Sequence, residues 1–342
     1  MTLDQYHFFG DIGALDQMND PLVRLAGLID FERFRSELEA AVRPAKPKGK
    51  GGRPRLDPVM MFKILVLQRI YGISDEQAEF QIRDRLSFHR FLGLALGDRV
   101  PDSRTIWLFR EALVKAGTMD RLFQEFTQTL LDQGTITREG SLIDASFVSV
   151  PKQHNTRKEN ALIKAGQIPP GWQDQPRMLA QCDLDARWTV KGLTAHYGYK
   201  NHVKVDRASK LIITYGVTPA STNDGKVLPV LATADDKVIH ADSAYQTAGN
   251  RAFVRRHRIN AQFQLKGTRH VTLTRGQRRA NRRKSRIRSR VEHVFALIKT
   301  SLGGLHLRYI GMPRIAASVA LTNLLHNVVR FGQLRDLNQA RT

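Results

Sequence analysis

Apolar residues recur at helical spacing through the first third of the chain. Within residues 14–43, Leu22, Leu25, Leu28, Ile29, Phe34 and Leu38 form the apolar set of one or two amphipathic helices. Asp57-Pro58 is an N-cap and first-turn pair for a helix over 57–71, which buries Val59, Phe62, Ile64, Leu65, Leu67 and Ile70 and stops at Gly72. Ser74 with Gln77 three residues on has the form of a capping box, opening a helix that runs to about Leu86. Another starts at Asp102 or Ser103 and carries Ile106, Phe109, Leu113 and Val114, and a further one spans 119–132. Short helices joined by Gly-containing turns are compatible with a helix-turn-helix, and equally with an all-helical packing or dimerisation domain.

The period changes near residue 139. EGSLIDASFVSV (139–150), YGYKNHVKVD (197–206), KLIITYGVTPAS (210–221) and KVIHADSAY (237–245) read as strands. Helical patterns return at 224–234, 247–258, 277–302 and 313–331. This predicts an α/β domain over 139–335, with helices covering a sheet, behind a helical N-terminal domain over 1–138. Residues 151–190, with IPPGWQDQP, read as an irregular insertion. RPAKPKGKGGRPR (43–55) reads as a basic linker in which Arg53 and Arg55 are candidate phosphate contacts.

Charge sharpens the picture. Among 342 residues, 54 Lys and Arg face 32 Asp and Glu, a net charge of +22, which implies a polyanionic partner. One cysteine, Cys182, excludes an intramolecular disulfide and a multi-thiolate zinc site. The N-terminus lacks the pattern of a secretory signal, and no apolar run approaches the ~18 residues that span a bilayer. The expectation is a cytoplasmic protein acting at the nucleoid, with no membrane partner.

The acids are informative where they are missing. No Asp or Glu lies between Asp242 and Glu292, while residues 251–290 hold fifteen Lys or Arg. A phosphate-binding surface excludes carboxylates, so those that survive in it need a reason, and coordination of Mg²⁺ or Mn²⁺ supplies one. Asp144 interrupts an apolar strand pattern, and Asp242 ends another. Ile287, Val291, Val294, Ile298 and Leu302 form a helical stripe with Arg288, Glu292 and Lys299 on one face at its margin. The competing reading of Arg288 and Glu292 is a plain i, i+4 ion pair. Arg278, Arg279, Arg282, Arg283, Lys284 and Arg286 form a basic patch without interleaved aromatics, suited to sequence-independent phosphate contact. Lys200, beside Tyr197 and Tyr199, is a further DNA-contact candidate, and strand packing is the alternative for the two tyrosines. Asp183, Asp185 and Asp206 read as solvated turn acids, His240 as a core histidine, and His293 as structural or phosphate-contacting.

The motifs LIDASFV, HADSAY and RSRVEHVFALIK resemble those of the DDE transposases of bacterial insertion sequences, in the insertion-sequence-five (InsH-like) group. In that family the last motif reads Tyr, two residues, Arg, three residues, Glu, six residues, Lys. Arg288, Glu292 and Lys299 fit it, and Ser285 stands at the Tyr position, a departure that bears on any stacking role of that Tyr rather than on the metal site. The likeness covers roughly residues 50–332. It implies an RNase H-like core, a mixed five-stranded sheet flanked by helices, with Asp144, Asp242 and Glu292 as catalytic metal ligands. It also implies two Mg²⁺ ions, replaceable by Mn²⁺, double-stranded transposon-end and target DNA as partners, and a homodimer on DNA. Two other readings stay open: a non-enzymatic helix-turn-helix regulator, and a structure-specific nuclease without joining activity.

Overall fold

The computed structural model describes residues 18, 20–43, 55–95, 97–267 and 271–339. Arg53 and most of the 43–55 linker lie outside them. The chain divides into two compact units, Met1–Phe123 with Asn327–Thr342, and Gln124–His326.

The first unit is helical. Helix α1 (Pro21–Leu28) is capped by Asp20, a 3-10 turn (Phe31–Phe34) by Asp30, and α2 (Arg35–Val42) follows directly. Helix α3 (Pro58–Tyr71) opens on the Asp57 carboxylate, which accepts from Met60 N at 2.8 Å, and ends at Gly72 with φ +64°. Ser74 caps α4 (Asp75–Asp84), which ends two residues short of the expected Leu86, and a further helix, α5 (Leu86–Leu92), follows from Arg85. Asp102 caps α6 (Ser103–Ala116). Phe31 meets Phe91 edge-on at 5.7 Å, and Phe34 meets Phe62 at the same distance. Helix α3 is buried from Val59 to Arg69 except at the half-buried Lys63, so it is the core of this unit.

The division between the units falls within α7 (Thr118–Asp132) and within the last helix. The second unit is built on a mixed six-stranded sheet. Strand β1 (Ser141–Ser149) is followed by helices α8 (Arg157–Lys164) and α9 (Pro176–Gln181) and strand β2 (Arg187–Lys191), so the segment read as irregular holds two short helices and most of a strand between loops. Strands β3 (Thr194–Asp206) and β4 (Ile212–Pro219), helix α10 (Leu228–Leu231), strand β5 (Val238–Ala241), helix α11 (Ala248–Arg256) and strand β6 (Asn260–Phe263) complete the sheet and one of its covers. The order is β2-β3-β1-β5-β6, with β4 also on β3. The strand beyond the expected five is β2. It pairs with the start of β3 through a hairpin, Lys191 opposite Thr194, that turns at Gly192 with φ +62°.

Helices α12 (Arg275–Arg288), α13 (Arg290–Ser301) and α14 (Met312–Gln339) follow. On one sheet face Ile143, Ile239 and Ala241 pack with Leu228, Leu231, Tyr245, Val254 and Phe263. The opposite face of β1 receives α13, whose Val291, Val294 and Ile298 are buried. Among the described residues no helix is long and apolar enough to cross a membrane.

Candidate active site

Asp144 is the fourth residue of β1, on the face opposite Ile143, because side chains alternate along a strand. Strand β1 runs parallel to β5, with Ser141 opposite Ile239 and Leu142 opposite His240. Carried two residues further, the same register brings Asp144 level with Asp242, the first residue past β5. Asp144 therefore sits mid-strand relative to its antiparallel partner, where Val203 opposes it, yet at the carboxyl end of the parallel pair. Asp242 caps a 3-10 turn, Ser243–Tyr245, accepting from Ala244 N at 2.8 Å.

The helix expected over 277–302 is two helices. Ser289 donates its hydroxyl to the Arg286 carbonyl at 3.1 Å, a local bond of the kind that bends helices, and α13 restarts at Arg290. Arg288 thus ends one helix while Glu292 lies in the first turn of the next. The guanidinium joins them to β1: Nη1 donates to Asp144 Oδ2 at 2.5 Å, and Nη2 lies 3.8 Å from Glu292 Oε1. Asp144 and Arg288 are each 20% exposed in their side chains, whereas Glu292 is 66% exposed. The i, i+4 pair is therefore real, but it is the lesser of the two contacts that Arg288 makes.

Burial pushes the Asp144 carboxyl up from its ordinary range. The Arg288 cation, the Ala145 N–H and Lys191 act against that shift, and Asp242 adds to it. Tyr245 lies near these charges, fully buried, with a hydroxyl that has no hydrogen-bond partner among the described residues. Burial first, then Asp224, Asp144 and Asp242, push the phenol well above its usual range. Neither Tyr245 nor Lys191 stands out in the sequence. The only signal for the tyrosine is its place three residues after Asp242, and Lys191 lies one residue past the segment read as irregular.

The donor chemistry suits a hard divalent cation, since Asp144, Asp242 and Glu292 offer carboxylate oxygens alone. A mostly buried carboxylate also demands a positive charge beside it. Here the Arg288 guanidinium supplies that charge, lying between Asp144 and Glu292. Among the described residues no three His, Cys, Asp or Glu side chains are drawn together closely enough to hold a metal ion. The structure thus sets Asp144 level with Asp242 and links Asp144 to Glu292 through an arginine.

The cationic candidates separate. Arg278, Arg279, Arg282, Arg283 and Arg286 are exposed along α12, which has no buried residue. Lys284 is an anchor, donating to Phe263 O at 2.8 Å, and Asn281 clamps both the N–H and the carbonyl of Leu265. Lys299 and His293 are exposed, as is Arg55, which donates to Val42 O at 3.0 Å. Lys200 is held elsewhere: its ammonium, 12% exposed, donates to Asp224 Oδ1 and Thr222 O at 2.8 Å each. Two acids read as solvated are buried. Asp183 accepts from Tyr199 Oη at 2.6 Å and from three backbone N–H groups, and Asp206 closes the β3–β4 turn on Ala208 and Ser209. Tyr199 is fully buried and Tyr197 nearly so, which makes both strand-packing residues. His240 is a core residue whose ring nitrogens have no hydrogen-bond partner among the described residues.

No solved structure matches the chain. Residues 11–112 match a family described as Transposase domain (DUF772), and residues 136–328, more than half of the chain and the whole sheet with its carboxylates, match the Transposase DDE domain. With level aspartates on neighbouring strands and a glutamate on a following helix, the chain belongs to the Transposase DDE domain family.

Proposed function

We propose that this transposase binds the terminal inverted repeats of an insertion sequence and catalyses DNA cleavage and strand transfer. DDE transposases act on DNA with divalent metal ions. The finer reading is that Asp144, Asp242 and Glu292 hold two Mg²⁺ ions, replaceable by Mn²⁺, on an RNase H-like core. The sheet supports that fold: setting β2 aside, five strands remain, two of them carrying the aspartates as neighbours. Held by these three carboxylates, such ions would supply Lewis-acid activation of a water or a DNA 3′-hydroxyl and charge stabilisation for the leaving oxygen of an in-line displacement.

The chain's own groups do the rest. Asp144 presents its oxygens from β1 and Asp242 from the turn that follows β5, and Glu292 closes the set from a helix locked by Val291, Val294 and Ile298. Arg288 and Lys299 hold the scissile or an adjacent phosphate. The exposed arginines of α12 neutralise neighbouring phosphates without reading bases. Phosphoryl transfer needs positioning and charge stabilisation more than a protein nucleophile. Pairing two DNA ends makes a homodimer on DNA the expected assembly.

The observation that carries the reading is the β1–β5 register that levels Asp144 with Asp242, with Arg288 bridging onward to Glu292. Asp242→Asn and Glu292→Gln are expected to abolish Mn²⁺-dependent nicking of transposon-end DNA and to retain its gel shift. Nicking at the wild-type rate by either variant removes that residue from the site. Supplying a pre-cut 3′-OH end and detecting joined product separates a transposase from a nuclease.

A further inference from the structure

We propose that Arg288 is a built-in counter-ion: it holds the cation position between Asp144 and Glu292 in the metal-free chain, and a divalent ion must displace it. The freed guanidinium is then the group that meets a DNA phosphate. This rests on the reading of Asp144 and Glu292 as metal ligands.

Three independent features support it. First, the guanidinium spans both carboxylates, with one nitrogen at 2.5 Å from Asp144 and the other at 3.8 Å from Glu292. An ion binding those oxygens would place two positive charges side by side, so ion and guanidinium exclude each other. Second, Arg288 is not saturated. Its Nε is buried with no hydrogen-bond partner among the described residues, whereas an arginine built as a permanent brace uses its fork of donors fully. Third, Arg288 stands where the backbone can let it go. It ends α12, a helix with no buried residue, fastened near this end by the polar contacts of Asn281 and Lys284. The break at Ser289 separates it from α13, whose buried Val291, Val294 and Ile298 fix Glu292 in place. Arg288 can therefore swing without moving the carboxylates it leaves.

The exchange links two binding events. Without DNA, metal binding must displace an arginine that finds no new partner. With DNA, a phosphate receives it. By thermodynamic reciprocity DNA tightens metal binding, and metal tightens DNA binding by the same factor. A chain meeting ions alone stays under-loaded.

The test is a Mn²⁺ titration of the full-length chain followed by electron paramagnetic resonance, with and without transposon-end duplex. Arg288→Gln is expected to bind Mn²⁺ about tenfold tighter than wild type without DNA, equivalent to about 1.4 kcal/mol. DNA is expected to tighten Mn²⁺ binding in wild type and to change it little in Arg288→Gln. Arg288→Lys, which keeps a charge on a flexible stem, is expected to fall between them, and it carries the test if Arg288→Gln does not fold. Asp144→Asn locates the ion and is expected to lose it. If Asp144→Asn loses Mn²⁺ while both Arg288 variants bind it no tighter than wild type, the exchange is overturned and the metal site stands. If Asp144→Asn binds Mn²⁺ like wild type, the site assignment falls, and the exchange with it.

Discussion

Asp144→Asn separates the electrostatics of the site from its chemistry, because two opposed effects act on the folded, metal-free chain. The substitution removes the charge-assisted bond from Arg288, of a kind that contributes ~1.5–3 kcal/mol. It also relieves the cost of keeping a carboxylate out of water, which is on the order of several kcal/mol for a buried ion. The raised pKa of Asp144 decides between them, since burial, with Asp242 adding to it, outweighs Arg288, the Ala145 N–H and Lys191 together. A carboxyl raised in the folded state above its ordinary 3.8 adds stability through its proton below that pH, and loses it as pH rises through the folded value. At pH 7 the ionised form is therefore a net burden. Asn keeps the Oδ1 acceptor for the Ala145 N–H, now at 2.9 Å. The expected outcome in EDTA at pH 7 is a urea-denaturation stability equal to or above that of wild type, with nicking abolished in Mn²⁺. A loss of more than about 2 kcal/mol in EDTA would mean that the Arg288–Asp144 pair is a structural brace, and the reasoning would fail.

Replacing Arg282 and Arg283 by Ala is expected to weaken end and random DNA alike, and to reduce the slope of log K against log salt by roughly 1–2, as one or two phosphate contacts are lost. A loss confined to the specific end, measured by fluorescence anisotropy across a salt series, would rule out the phosphate role. Gly198→Ala places a Cβ 2.3 Å from the Val148 carbonyl oxygen at φ +134°, and is expected to destabilise the second unit. The cost is roughly 2 kcal/mol or more, read from urea curves. His202 is fully buried, and burial lowers its pKa from 6.5 to about 4. Its contribution to stability is complete above pH 6.5 and is lost as pH falls towards 4, by up to roughly 3 kcal/mol. His202→Gln is expected to flatten that part of the pH profile.

The strands bearing Asp144 and Asp242, and the helical N-terminal region, are legible because apolar periodicity records which face meets the core. Leu142, Ile143 and Ile239 announce their strands and Val291, Val294 and Ile298 their helix, and all six are buried. The break at Ser289 is not legible, because it depends on a hydroxyl returning to its own helix, which any serine can do. Strand β2 is edge-like and exposed at Trp188 and Val190, so it lacks the apolar alternation of a covered strand, and α8 and α9 beside it are short. Asp183 and Asp206 look like turn acids because what buries them comes from distant segments, as when the Gly311 N–H reaches Asp183. The commitment of Lys200 to Asp224 is likewise a long-range fact. Patterning reports local periodicity. Pairings of charges across the sheet appear only once the chain is closed.

The two-residue step from the last paired rung of β1 and β5 to the aspartates makes the sheet a ruler. Deleting or inserting one residue between Ser141 and Asp144, or between Ile239 and Asp242, would turn one carboxylate to the far side among Tyr245, Leu228 and Val254. Lengthening the connection between β4 and β5 would leave the rungs untouched. Viable length variants of this transposase should therefore gather in that connection and be missing from two windows of four residues each.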